Sequence, residues 1–293
     1  MALYKLKEFH APKSMQEAIN ILGRSQEAEI LVLAGGTFLH GLEARGLLSD
    51  GEELVDIRKA GLDAIRDDDQ GLLIGATVTF SQIQTLPSVQ RTPWLAGLSD
   101  ALAYPPVQIR NTATIGGCVS ASCPFFDVPT ALLALGATVM VKGGEAGARQ
   151  LALPDFLAGL FVNSLEPGEL VTAVAIPKRP GNGASAFIKL EGNANDLAIV
   201  NAAAYLSVDG QKTCTEAYVA LGGGVAETAV LSDAARQILI GSKLDAATLQ
   251  AASEAVTADI SPMSDHRASA EYRGAVAKVI VRRTLERAIA RLA

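Results

Sequence analysis

The sequence predicts an α+β fold in which strands and helices are mixed and a separate C-terminal part follows an internal boundary. Short apolar runs that end at glycine, typical of buried strands, occur among amphipathic helical stripes in the first part of the chain. The stretch 177–184, PKRPGNGA, is the clearest break by proline and glycine in the sequence and predicts a domain boundary. Strand-like runs and then helices follow it, an order that favours α+β over a regular doubly wound sheet.

The bulk composition predicts an acidic protein of two or three domains. A chain of 293 residues exceeds the usual size of one small module, and a hydrophobic content of 49% is enough for a core that needs no disulfides. The formal net charge of -6 and the pI near 5.2 disfavour a nucleic-acid binder, which usually carries a basic face. The aromatic content of 5% also disfavours a base-stacking platform.

The cysteines and the apolar runs predict a cytoplasmic protein without a membrane span. Cys118, Cys123 and Cys214 form no paired framework, which favours a reducing compartment. Cys118 and Cys123 have no second pair and no companion histidine, so we interpret them as loop residues rather than metal ligands. The N-terminus has no secretory pattern, and the longest weakly polar run, 128–141, is shorter than the ~20 residues that a membrane-spanning helix needs.

The first part of the chain is predicted to interleave helices and strands. Ser14 and Glu17 have the spacing of a capping box, so a helix is expected from Met15 to a stop at Gly23. Pro129 suits the first turn of a helix that ends before Gly136. The other expected elements are strands at 30–33, 54–57, 72–76, 137–141 and 169–176 and helices at 79–84, 94–104 and 153–160.

Beyond the boundary, the pattern predicts a strand meander covered by helices. The strands are expected at 186–190, 199–208 and 217–221, and the helices at 232–240, 245–259 and 271–292. His10, His40 and His266 are scattered along the chain, and we interpret them as surface or capping residues rather than proton shuttles.

Two glycine pairs, each after a β-like run, predict two loops of bare backbone that could hold a phosphate-bearing cofactor. Glycine N–H groups can approach an anion closely because no Cβ intervenes, and Thr37, Thr112 and Thr114 add hydroxyls beside them. The pairs fit neither the dinucleotide fingerprint G-x-G-x-x-G nor a P-loop. Each pair alone is more typical of a tight turn, and Asp127 alone is equally compatible with a ribose acceptor and with a helix cap.

A series of ordered motifs extends over nearly the whole chain. They are F-x-x-P-x-S-x-x-E-A at 9–18, A-G-G-[ST] at 34–37, L-V-D-[IL]-R at 54–58, I-G-A-x-[TV]-T at 74–79, V-x-x-R-N-x-[AG]-T-[IL]-G-G at 107–117, D-x-P-A-L-L-A-L-x-A at 127–137 with Thr130 inserted, P-G-E-L at 167–170 and A-E-Y-R at 270–273. By these motifs the chain resembles the medium, FAD-binding subunits of the molybdenum hydroxylases, the xanthine dehydrogenase and carbon monoxide dehydrogenase family.

The resemblance implies a PCMH-type FAD-binding fold of two α/β subdomains, 1–57 and 58–177, followed by a C-terminal α+β domain, 184–293. It also implies the residues that contact the cofactor. One side of the pyrophosphate would be wrapped by Leu33, Ala34, Gly35, Gly36, Thr37, Phe38 and Leu39, and the other side held by Thr114, Ile115, Gly116, Gly117 and Cys118. Asp127 would lie near the ribitol or ribose hydroxyls, and Leu170 and Lys189 near the flavin end.

The function implied is that of an electron-transfer oxidoreductase subunit without metal ligands of its own. A large partner would bind the molybdopterin cofactor and a small partner the [2Fe-2S] clusters, in a dimer of heterotrimers. Cys118, Phe38 and Asn193 depart from the family pattern, which bears on the flavin environment and on the electron acceptor. Two alternatives stay open: a flavin-free scaffold of the same type of complex, and a stand-alone flavin oxidase or reductase.

Overall fold

The N-terminal segment forms a small parallel sheet. The computed structural model describes residues 6–24, 29–44, 46, 48, 51–144, 147–179 and 182–292. The first elements are β1 (Glu8–His10), α1 (Met15–Leu22), β2 (Ile30–Leu33), α2 (Thr37–Ala44) and β3 (Glu53–Asp56). The strands lie in the order β1, β3, β2, and β3 pairs in parallel with both neighbours. The short strand β1 and the helix α2 were not predicted from the sequence.

Helix α1 begins where the sequence predicts it. The Ser14 side chain accepts a hydrogen bond from the Glu17 N–H at 3.2 Å. The Glu17 carboxylate accepts from the Lys13 N–H at 2.7 Å rather than from the Ser14 N–H. The predicted capping box is therefore half formed, since only its serine makes the expected bond.

The middle of the chain forms a five-stranded antiparallel sheet with short helices. Its elements are β4 (Ile65–Asp68), β5 (Gly71–Gly75), α3 (Phe80–Gln84), α4 (Pro87–Arg91), α5 (Ala96–Ala103), α6 (Val107–Arg110), α7 (Ile115–Ser120), α8 (Asp127–Ala134), β6 (Thr138–Gly143), β7 (Gly147–Ala152), α9 (Leu153–Phe156), β8 (Leu157–Gly159), β9 (Val162–Asn163) and β10 (Glu169–Pro177). The sheet order is β4, β5, β10, β6, β7, and β8 and β9 make a separate hairpin. The helix expected at 153–160 ends at Phe156, because Leu157–Gly159 pairs with β9 instead.

The C-terminal part is a four-stranded antiparallel sheet with helices on one face. Its elements are β11 (Gly183–Leu190), β12 (Val200–Val208), β13 (Cys214–Gly222), β14 (Val230–Leu231), α10 (Asp233–Leu239), α11 (Ala246–Ala255) and α12 (Ala270–Ile289). The strands follow one another in sequence order. Every residue of β12 is buried, because helices cover one face of the sheet and the middle of the chain covers the other. The structure confirms the α+β class.

Helix α8 joins the middle of the chain to the C-terminal sheet. All eight of its residues are buried, and one core cluster contains Leu132 of α8 together with Phe187 and Tyr205 of the C-terminal strands. Within the helix, the Thr130 hydroxyl donates to the Asn201 side-chain oxygen at 2.9 Å. The middle and C-terminal parts thus share a continuous apolar interior.

Of the described helices, none combines the length and the apolar character that crossing a bilayer would require.

Candidate cofactor-binding site

The two glycine segments predicted to share one ligand lie directly against each other. A side chain at Gly35 would place its Cβ 1.9 Å from the carbonyl oxygen of Thr112 and 3.0 Å from the Cα of Ala113. Such a close approach to backbone is open to glycine alone. The bend after β2 therefore packs against the chain that leads into the second glycine pair.

The first segment turns from strand β2 into helix α2. Leu33 ends the strand, Ala34 and Gly35 form the bend, and Thr37 begins the helix. Gly36 has a φ of +72°, a left-handed conformation that side chains rarely adopt. The N–H groups of Thr37, Phe38 and Leu39 form the first turn of α2, where no intrahelical acceptor exists, and they have no hydrogen-bond partner among the described residues. These amides are suited to an anionic ligand.

The second glycine pair lies in the first turn of a helix, not in the loop that the sequence suggested. Thr114 caps helix α7, and its side chain accepts from the Gly117 N–H at 3.3 Å. The Ile115 N–H donates to the carbonyl of Val78, and the Gly116 N–H to the carbonyl of Ala76 at 2.9 Å. Three amides expected to face a phosphate, those of Ile115, Gly116 and Gly117, are thus already engaged.

Gly116 serves packing, whereas Gly117 leaves backbone uncovered. A Cβ at Gly116 would lie 2.5 Å from the Cβ of Ala76, so the helix start can lie this close to the chain after β5 only with glycine there. A Cβ at Gly117 would meet only the Thr114 hydroxyl, at 3.0 Å. The Thr114 N–H has no partner among the described residues. The exposed backbone of this segment therefore lies at Gly117, beside the unpaired N–H of the buried Thr114.

The threonine hydroxyls near the bends are not equivalent. The Thr112 hydroxyl donates back to the carbonyl of Gln108 at 2.7 Å, so it is committed to helix α6. The Thr114 hydroxyl oxygen already accepts from Gly117, but its hydrogen has no acceptor among the described residues. Of the hydroxyls predicted beside the amides, those of Thr37 and Thr114 stay available for a ligand.

Asp127 begins helix α8 as a buried member of an ion pair. Its side chain is 7% exposed, and Oδ2 lies 3.1 Å from the Nζ of Lys189, which is also buried. Its Oδ1 accepts from the Asn201 amide at 3.0 Å. Neither a helix cap nor a ribose acceptor describes this geometry fully, since both oxygens have protein partners. Burial raises the pKa of Asp127 to about 6, against the opposing effect of Lys189 and Asn201.

Lys189 is one buried cation between two carboxylates. Its Nζ lies 3.0 Å from Oε2 of Glu191 as well as 3.1 Å from Asp127. The ammonium also lies 5.1 Å from the centre of the Tyr104 ring, a cation–π arrangement. Glu191, Asn201 and Tyr104 were not predicted from the sequence as site residues. The i, i+2 spacing of Lys189 and Glu191 on one strand was the available signal, because alternate residues point the same way.

Three other predicted contact residues lie in the core. Ile115 is fully buried, and Leu170 on β10 and Cys118 on α7 are 4% and 8% exposed. Burial raises the pKa of the Cys118 thiol well above its usual range, so it is a neutral, inert group. Any contact of these residues with a cofactor would be through backbone or the edge of a side chain.

Phe38 joins a cluster of three aromatic rings beside the site. Its ring centre lies 5.8 Å from that of Phe126, which precedes Asp127, and 5.8 Å from that of Phe161 at the tip of the β8–β9 hairpin. Phe161 has a φ of +59° and donates its N–H to the carbonyl of Ser122. The unusual Phe38 therefore links both halves of the candidate site, a contact that no local sequence pattern predicts.

Nearly the whole chain matches two domain families. Residues 4–179 match the FAD-binding domain in molybdopterin dehydrogenase, and residues 185–288 match the C-terminal domain of the carbon monoxide dehydrogenase flavoprotein. The first match contains both glycine segments, Asp127 and Leu170, and the second contains Lys189.

Curated relatives and solved structures are similar over nearly their full length. The carbon monoxide dehydrogenase medium chain of Afipia carboxidovorans is 35% identical over 97% of both chains. Subunit alpha of the 6-hydroxypseudooxynicotine dehydrogenase complex of Paenarthrobacter nicotinovorans is 33% identical over 95% of this chain and 93% of its own. A structure of carbon monoxide dehydrogenase from Hydrogenophaga pseudoflava superposes with a TM-score of 0.91 at 30% identity, over 98% of this chain and 99% of the other.

Proposed function

The chain belongs to the FAD-binding medium subunits of the molybdenum hydroxylase family, and we propose that it holds FAD between the iron–sulfur clusters of a partner subunit and an external electron acceptor. Bound FAD supplies the redox chemistry, because its isoalloxazine ring exchanges electrons singly or in pairs. The residues of this chain bind the cofactor, orient it and set the charge around it.

The observation that carries the proposal is the direct contact of Gly35 with Thr112 and Ala113, which brings together two segments that each contain unpaired amides. The amides of Thr37, Phe38 and Leu39 open one side, and the amide of Thr114, beside the bare backbone of Gly117, opens the other. Backbone dipoles at two helix starts can hold a pyrophosphate without lysine or arginine. Gly36 and Gly117 leave the backbone bare for the close approach. The site thus fits the diphosphate part of FAD by its own chemistry.

Asp127, Leu170 and Lys189 are proposed to shape the flavin end. Lys189 would contribute a fixed positive charge, because burial and two carboxylate partners hold its ammonium in one place. Asp127 would orient Lys189 and offer its remaining acceptor capacity to the sugar hydroxyls. Leu170 would contribute apolar contact from β10. Fixed charges near a flavin ring alter how easily it accepts electrons.

We place the chain in a cytoplasmic complex with a large molybdopterin-binding subunit and a small [2Fe-2S] subunit, arranged as a dimer of heterotrimers. The names of its relatives, a medium chain and a complex subunit, support an assembly of unlike chains. Cys118 and Cys214 are free thiols, which supports a reducing compartment.

The variant Gly117→Val tests the cofactor site. Its added methyl groups would occupy the open side of the Thr114–Gly117 segment, where a Cβ meets only the Thr114 hydroxyl. We expect the dissociation constant for FAD to rise at least about tenfold, a loss of about 1.4 kcal/mol of binding, so that the purified variant carries less FAD per chain. The measurement is the flavin absorbance of the purified protein against its chain concentration.

Gly210→Val is the matched control, because a Cβ there meets nothing within 4 Å and its φ is ordinary. It should keep full FAD. Wild-type occupancy in Gly117→Val would show that the segment is misassigned. A natural chain that never binds flavin would favour the scaffold alternative, and turnover of a small organic substrate by the isolated flavin-loaded chain would favour the stand-alone oxidase or reductase.

A further inference from the structure

Three metal-ligating side chains meet on the N-terminal sheet. They are Glu8 and His10 on β1 and Glu53 on β3. The His10 Nε2 lies 2.8 Å from Oε2 of Glu53 and 3.4 Å from Oε2 of Glu8. All three ligand atoms lie within 4.8 Å of one another.

The strand pairing fixes this arrangement. In the parallel register Glu8 stands beside Glu53, so the two carboxylates project from the same side of adjacent strands. His10 is two residues beyond Glu8, and alternate residues of a strand point to the same face. Like charges beside each other on neighbouring strands repel and destabilise the pair. A cation between them would remove that repulsion.

We propose that Glu8, His10 and Glu53 form a binding site for a divalent transition-metal ion of the zinc type. Zn²⁺ takes histidine nitrogen and carboxylate oxygen at about 2.0–2.2 Å, which in a tetrahedral site separates neighbouring ligand atoms by roughly 3.3 Å. The separations of 2.8 and 3.4 Å from the imidazole nitrogen fall on either side of that value. Water would fill the fourth position. One imidazole with carboxylates selects Zn²⁺, Co²⁺ or Ni²⁺ over Mg²⁺ and Ca²⁺.

Substitution of Arg24 tests the proposal, because the direction of the change in metal affinity can be predicted. Its Nη2 lies 3.4 Å from the same Oε2 of Glu53 that would bind the metal, and its side chain is 48% exposed. The guanidinium competes with a metal for this oxygen and can turn into solvent. If the three residues form only a surface ion-pair cluster, removing Arg24 creates no metal binding. If they form a metal site, removing Arg24 strengthens metal binding.

The site would fasten the edge strand β1 to the central strand β3. Because β3 also pairs with β2, which leads into the first glycine segment, the ion would stabilise the sheet from which that segment emerges. A metal that binds only the folded chain raises its thermal stability by mass action.

The experiment uses the full-length, FAD-loaded chain, stripped with a chelator and then dialysed. Zn²⁺ is titrated by calorimetry, and Co²⁺ is used separately because its visible absorption reports the coordination geometry. We expect one ion per chain, a raised melting temperature, loss of binding in His10→Ala, and tighter binding in Arg24→Ala. His40→Ala is the matched control, because His40 lies near one carboxylate, Glu43, at 3.7 Å.

The outcomes separate clearly. Wild-type affinity in His10→Ala, or no saturable binding by the natural chain, overturns the site. Equal loss of binding in His40→Ala and His10→Ala shows non-specific histidine binding and also overturns it. Should His10→Ala fail to fold, Arg24→Ala decides alone, since weakened or unchanged binding there contradicts the proposed competition.

Discussion

At the scale of single residues, the buried ammonium of Lys189 is the group on which the local charge balance depends. It lies between the carboxylates of Asp127 and Glu191, and its side chain is only 2% exposed. Removing one member of a buried ion pair leaves the other charge without compensation, which costs more than the pair itself contributed. The lysine therefore matters for folding as well as for any cofactor.

The variant Lys189→Met should lower the free energy of unfolding by about 3–5 kcal/mol, because Asp127 then stays buried without its cation. Urea unfolding of the FAD-free chain measures the change. Lys142→Met is the control, since Lys142 is exposed on β6, and it should stay within about 0.5 kcal/mol of the natural chain.

The double variant Lys189→Met/Asp127→Asn should recover part of that loss, because the neutral amide needs no counter-ion. If the double variant is as unstable as the sum of both single variants, Lys189 and Asp127 act independently. That result would contradict the ion pair as the source of the effect.

At the scale of elements, long segments with a periodic apolar pattern were predicted from the sequence. Short elements that form through tertiary contacts were not. Helix α12 and strand β12 follow the expected bounds to within a few residues, because each carries its own apolar pattern. Helix α7 was missed because its sequence, IGGCVS, has two residues of very low helix propensity. It forms because Val78 and Ala76 accept hydrogen bonds from its first amides, contacts that come from a distant segment.

The same distinction applies to the candidate site. The glycine and threonine positions were visible in the sequence, since bare backbone and hydroxyls have recognisable residue types. The division of labour between Gly116 and Gly117 was not, because it depends on which of them lies against Ala76. The pairing of Asp127 with Lys189 joins α8 to β11 across the fold. A single sequence offers no signal for such a long-range contact.

Helix α12 is fixed at its start by a buried arginine. The Arg273 Nη2 donates to Oδ1 of Asp265 at 2.7 Å, and its Nε donates to the carbonyl of Ile199 at 3.1 Å. Burial of Asp265 opposes its ionisation, but hydrogen bonds from Arg273 and from the backbone of Arg267 and Ala268 outweigh burial and lower its pKa to about 2.

The stability contributed by Asp265 should disappear in acid. Its folded-state pKa is below the unfolded value of 3.8, so the contribution is complete above about pH 4 and is lost as the pH falls towards 2. We expect this group's contribution to the free energy of unfolding to fall by about 2 kcal/mol. Urea unfolding between about pH 5 and about pH 2.5, a range set by the two pKa values, measures the loss. Asp265→Asn should flatten this acid limb, and the exposed Asp67→Asn should not. Parallel curves for the natural chain and Asp265→Asn would contradict the assignment.

At the scale of the whole molecule, one family match ends at residue 179 and the next begins at residue 185, close to the predicted boundary at 177–184. The division into 1–57, 58–177 and 184–293 stays a prediction. The packing across that boundary is nevertheless extensive. The Ser185 hydroxyl donates to the carbonyl of Trp94 at 2.7 Å and accepts from the Gly97 N–H at 2.7 Å. Arg291 donates to Asp100 on α5 at 2.7 Å.

This shared interior predicts that the middle and C-terminal parts unfold together. Trp94 is the only tryptophan of the chain and is buried at the seam, so its fluorescence reports the packing of β11 against the α5 region. Far-UV circular dichroism reports the helices of both parts. We expect the two urea transitions of the FAD-free chain to coincide, because the exposed surfaces of α8 and β12 would be too apolar for either part to stay folded alone.

Arg291→Met sharpens the test, since it weakens the seam without touching Trp94. Its two transitions should both move to lower urea and still coincide. The free energy of unfolding should fall by an amount on the order of 1–3 kcal/mol, because a charged hydrogen bond is lost. Separated transitions in the natural chain, or a fluorescence change in Arg291→Met that precedes the loss of helix, would mean that the parts are independent. In that case the link between Asp127 and Lys189 would join two bodies that move, and the charge beside the cofactor would vary with their motion.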